Sequence, residues 1–92
     1  DKDINYSDDV YTKIYKAVIL YINLKTGNNK VEYSIDEIMG IIVQNTNRES
    51  DAFRDILNRS EKNRFSKLPL DNVNADLINI KLLLKEVDHV WN

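Results

Sequence analysis

From Tyr11 to Trp91 the apolar residues return every three or four positions, and this spacing constrains the chain more than any other feature. Tyr11, Ile14, Val18 and Tyr21 form one stripe, with Tyr15, Ile19 and Ile22 beside it. Val73, Leu77, Ile80, Leu84, Val87 and Trp91 form another, close to a heptad seam and widened by Leu83 and Val90. Such periods put side chains on one face of a helix and are incompatible with the two-residue alternation of a strand. Between these segments, Ile35, Ile38, Met39, Ile41, Ile42 and Val43 predict a second helix ending near Gln44. Phe53, Ile56, Leu57 and Ser60 predict the narrow inward face of a third.

The breaks have local causes. Residues 1–6 read as a polar lead-in, and Ser7 with Asp8 and Asp9 suits a helix start, since carboxylates favour the positive end of the helix dipole. Gly27 stops the first helix, and Gly27-Asn28-Asn29 is a turn. Lys30 to Tyr33 alternates too briefly to be more than an extended arm. Ser34-Ile35-Asp36-Glu37 is a capping box, with Tyr33 and Ile38 placed as a hydrophobic staple. Gly40 inside the second helix suggests a close approach between helices. Asn45-Thr46-Asn47 breaks the chain again, the third helix starting between Arg48 and Ser50 and fraying by Asn63. Pro69 bars helix through Leu68, and Asp71 or Asn72 can cap the last helix. The expectation is an all-α domain of four helices over residues 7–92, with the extended segment at 30–33. Its first helix would be central and its last would lie along the first.

Ninety-two residues bury a modest core and leave little room for a deep cavity as well. The net charge of −2 gives no overall attraction for nucleic acid or an acidic membrane. No apolar run approaches the roughly 18–20 residues that span a bilayer. There is no cysteine, so disulfides and thiolate chemistry are excluded. His89 is the only histidine. Its neighbour Asp88 points about 100° away on a helix, so the two cannot form a dyad alone. A surface histidine is the expected role. The pairs Asp8-Asp9, Asp36-Glu37 and Asp51–Asp55 stand at helix starts, no phosphate-binding glycine loop occurs, and no cofactor or metal site is expected. Tyr11 and Tyr15 read either as buried rings with wet hydroxyls or as an exposed interaction pair.

Arg54, Arg59, Lys62, Arg64 and Lys67 make a local excess of cations, offset by Glu61 and by Asp55, four residues before Arg59. The second and third helices could be read as helix-turn-helix. However, Glu49, Asp51 and Asp55 stand where base contacts would be made and would repel phosphates.

Tyr15-Lys16-Ala17, Tyr21 and Lys25 resemble the first helix of the C-terminal cytosolic domain of BatD-type aerotolerance proteins. That family's third helix ends in a pattern like Leu-x-x-Cys-Glu-x-x-Arg-Phe. Here the same stretch reads Leu57-Asn58-Arg59-Ser60-Glu61-Lys62-Asn63-Arg64-Phe65, with Ser60 for the cysteine and Asn63 for a small residue. The resemblance implies a membrane-anchored parent with this domain on the cytosolic face of the inner membrane, and the start at Asp1 rather than Met fits an excised piece. It implies protein partners, namely von Willebrand-type A-domain membrane proteins and a MoxR-type AAA ATPase, and it brings no enzymatic residues. Glu61, Arg64 and Phe65 carry over as structural or docking residues, Arg64 pairing with Glu61 and Phe65 closing the base of the core. The expected function is a non-catalytic protein–protein interaction module, with Arg54, Arg59 and Lys62 available for docking. An immunity or inhibitor protein, or a DNA-binding domain, are the alternatives.

Overall fold

Ser34 begins the second helix as its position in the capping box demands. In the computed structural model, which describes residues 6–63 and 73–91, its hydroxyl accepts the Glu37 N–H at 3.1 Å and its own N–H donates to the Glu37 carboxylate at 2.8 Å. Among the described residues are four helices: α1, Tyr6–Thr26; α2, Ile35–Thr46; α3, Asp51–Lys62; and α4, Val73–Val90. α1 starts one residue before the expected Ser7. It ends where Gly27 adopts φ +79°, a left-handed conformation that glycine takes without strain. α2 runs two residues past Gln44, because Asn47 in the left-handed region donates its N–H to the Val43 carbonyl at 2.8 Å and closes the last turn. Ser50 caps α3 by accepting the Phe53 N–H at 3.2 Å. Arg64, Phe65, Lys67, Pro69 and the expected caps Asp71 and Asn72 lie outside the described residues.

Tyr11, Ile14, Val18 and Ile22 of α1 are fully buried, and so are Ile38 and Ile42 of α2 and Phe53, Ile56 and Leu57 of α3. Val73, Ile80 and Val87 of α4 complete the core, with Leu77, Leu84 and Trp91 partly buried beside them, as the seam implies. Each fully buried aliphatic or aromatic side chain contributes roughly 1.5–3 kcal/mol. α1 packs on all three other helices and most extensively on α4, so it is the central helix. Tyr33 and Ile38, the staple pair, are both buried in this core.

α1 and α4 run in the same direction. The Tyr11 hydroxyl meets Asp76, and the Tyr21 hydroxyl, ten residues further on, meets Asp88, twelve residues past Asp76. α3 runs against them, since Arg59 near its end pairs with Asp76 near the start of α4. The chain between α1 and α2 is the expected extended arm, and it doubles back along α1. Asn23 donates to the Lys30 carbonyl at 2.7 Å, Tyr33 donates to the Asn23 side chain at 2.6 Å, and the Tyr15 hydroxyl donates to the Tyr33 carbonyl.

Gly40 overturns one expectation. It is exposed, and a Cβ built on it meets no atom within 4 Å, so no helix approaches it closely. Its place in α2 is a local weakness without a packing reason.

Candidate functional site

Asp76 lies on the arc of α4 that carries Val73 and Ile80, so the helix drives a carboxylate into the core. It is 2% exposed and fully engaged. Arg59 straddles it, Nε donating to Oδ2 at 2.7 Å and Nη2 to Oδ1 at 2.8 Å, while the Tyr11 hydroxyl donates to Oδ2 at 2.5 Å. This fork ties α1, α3 and α4 together. Burial pushes the Asp76 carboxyl upward, but the guanidinium and the tyrosine hydroxyl outweigh it and hold it below the usual carboxylate range. Burial and the adjacent carboxylate push the Tyr11 hydroxyl up to about 12. Arg59 is raised by its bond to Asp76. Sequence spacing assigned Arg59 to Asp55, one turn back on α3. The structure gives it Asp76, which offers two acceptor oxygens away from solvent.

A second cluster closes the other end of the α1–α4 contact. Asp88 accepts from Lys25 at 2.8 Å and from the Tyr21 hydroxyl at 3.0 Å. Tyr21 and Trp91 meet edge to face at 5.8 Å, and the Lys25 ammonium lies 5.9 Å from the Tyr21 ring and 5.8 Å from the Trp91 ring. Lys25 and then Tyr21 lower the Asp88 carboxyl, and burial with the Asp88 bond raises the Tyr21 hydroxyl.

The Tyr11 and Tyr15 hydroxyls are therefore bonded within the fold. Tyr11 is spent on Asp76 and Tyr15 on the arm, so neither is an exposed interaction anchor. The remaining candidate residues divide. Arg54 leans on α2 and pairs with Asp36 at 3.0 Å, whereas Arg59 turns to α4, so these two cations diverge around α3. Glu61 and Lys62 are exposed at the end of α3, and Ser60 is buried, donating to the Ile56 carbonyl at 3.0 Å. His89 is exposed on the last turn of α4. Asp76 was missed in the sequence. The available signal was an acid set among Val73, Leu77 and Ile80 on a face that must be buried.

Beside this framework lies an open groove of about 460 Å³ between the first half of α1, the arm and the end of α3. Tyr11, Tyr15 and Tyr33 belong to its wall, and Lys16, Val31 and Glu61 to its rim. Val31 is 90% exposed. No group of three or more His, Cys, Asp or Glu side chains that could hold a metal occurs among the described residues. No helix there is long and apolar enough to cross a membrane.

No family profile, curated protein or solved structure matches the chain.

Proposed function

We propose that this domain is a non-catalytic protein–protein interaction module that receives a partner segment in the groove between α1, the arm and the end of α3. One observation carries the reading. The interior charged and phenolic groups are consumed in holding helices together, while the groove offers an apolar projection, Val31, between charges of both signs, Lys16 and Glu61. An apolar anchor ringed by polar residues suits a protein segment. The resemblance to the BatD-type cytosolic domain implies the same class of function, and Glu61, a residue that matches that family's motif, lies on the groove. On that reading the partners are A-domain membrane proteins and a MoxR-type ATPase, and the domain works at the cytosolic face of the inner membrane. A pull-down with the 92-residue chain should retain one of these partners and lose it in Val31→Asp. Retention of neither partner by the unaltered chain sinks this assignment.

One observation favours the inhibitor reading in second place. The α2–α3 side carries Asp36, Glu37, Glu49 and Asp51 in exposed positions, against Arg48, Arg54 and Lys62. A basic partner would bind there with strong salt dependence, and charge reversal at Glu49 and Asp51 would separate this mode from the groove.

A further inference from the structure

We propose that the outer face of the α1–α4 pair docks on an anionic lipid surface. This face is distinct from the groove, and the inference does not rest on the interaction reading above.

Turned away from the core, α1 presents Leu20 and Leu24, 65% and 75% exposed, and α4 presents Ile78 and Leu82, both 59% exposed. Each pair is four residues apart, so each makes a short ridge on one side of its helix. Tyr11–Asp76 and Tyr21–Asp88 hold the helices side by side and parallel, so both ridges lie on the outside of the pair, with Leu82 at the edge where α4 meets Ala52, Asp55 and Arg59 of α3. That body measures 44 × 24 × 18 Å, and a helix pair along its length can lie flat on a surface.

The charges on this side oppose the net charge of the whole chain. From Val10 to Thr26 there is no Asp or Glu, and the same holds from Leu77 to Lys85. Lys81 and Lys85 interleave with Ile78 and Leu82, are exposed, and have no ion-pair partner among the described residues. The exposed acids of α4 do not cancel them: Asp88 is held by Lys25, and Glu86 lines a hollow with Ile42, Thr46 and Arg48 on the α2 side.

Side-chain type decides for lipid over protein. Protein interfaces concentrate aromatic residues and arginine and are poor in lysine. Here Tyr11, Tyr15, Tyr21 and Trp91 are engaged within the fold, and among the described residues the outer face carries leucine, isoleucine and lysine. Lysine stems lie along apolar surface while their ammonium groups reach anionic headgroups, and short aliphatic ridges sink shallowly beneath them. Neither helix crosses a bilayer, so the contact is reversible and salt-sensitive.

Co-sedimentation of the full chain with vesicles tests this. Binding is expected to mixed phosphatidylcholine–phosphatidylserine vesicles and to fall about tenfold on phosphatidylcholine alone or at high salt. K81E/K85E should lose about tenfold as well, and L20N/L24N should weaken binding while keeping its salt dependence. Lys62→Glu, on α3, should bind like the parent. Helix content by circular dichroism confirms that each variant is folded. Equal binding to neutral vesicles overturns the proposal, as does equal loss in Lys62→Glu. So does failure of the folded parent to bind either vesicle, including the case where it binds polyglutamate instead.

Discussion

Two clusters join α1 to α4, and they are built from the same parts. In each, a tyrosine of α1 donates to an aspartate of α4 that is also held by a cation. They differ in what surrounds them. Asp76 has a side chain 3% exposed and takes its cation from a third helix in a two-pronged grip. Asp88 has a side chain 55% exposed and takes its cation from α1 itself. Water competes for every bond of the outer cluster and for few of the inner one. The same chemistry should therefore be structural at one end of the molecule and nearly decorative at the other.

Arg59→Ala breaks this comparison hardest. It strands a buried carboxylate, and chemical unfolding should show a loss of about 3 kcal/mol, the low end for a broken buried pair because 37% of the arginine side chain already meets solvent. Replacing both partners, as R59M/D76L, should recover much of that loss, because no unpaired charge remains. Tyr11→Phe comes next, at about 1.5 kcal/mol for a hydroxyl bonded to a charged group.

The pH response sharpens the contrast. Asp76 has a folded pKa below its unfolded value, so its stabilisation is complete above the unfolded carboxylate pKa and is lost as pH falls through the folded one. Asp76→Asn should flatten that acid limb. Tyr11 has the opposite sign, since its pKa is raised. Its contribution is present below pH 10, its ordinary value, and is lost as pH climbs toward about 12. Tyr11→Phe should reduce the alkaline loss in a melting-temperature profile, leaving the part that Tyr21 contributes.

Gly40→Ala should add about 0.8 kcal/mol by helix propensity, because the new methyl meets nothing. It touches neither cluster, so it should be additive with Arg59→Ala, and a coupled result would mean that α2 shifts when the inner fork is cut. The smallest effect is expected from Asp88→Asn, a loss visible at low salt and erased at high salt. Equal losses for Asp88→Asn and Arg59→Ala would abolish the distinction between the clusters.

Local features were readable because their causes lie within four residues. Ser34 and Glu37 carry the α2 cap, Gly27 the end of α1, and the three-four spacing the buried faces of α1, α3 and α4. The inner fork was not readable, because its partners stand 17 and 65 residues apart. Arg59 has a carboxylate one turn away in Asp55, and nothing local says that a third helix supplies a better one. Gly40 failed for a related reason. A glycine in a helix permits close approach, but whether another helix takes the opening is settled elsewhere in the chain. The groove escaped as well, since its wall is completed by an arm that folds back on α1 through Asn23 and Tyr15.

The parallel pairing of first and last helices has a mechanical consequence. A chain that enters at Tyr6 and runs past Trp91 passes in at one end of a body 44 Å long and out at the other. Each helix of the pair spans roughly 30 Å. Tension on such a chain would load the α1–α4 contact in shear, spreading force over both clusters and the apolar seam at once instead of peeling them open in turn. Joining the two ends for a circular permutation would need a linker about as long as the domain itself, and set within a longer polypeptide the domain would hold its neighbours apart as a stiff spacer.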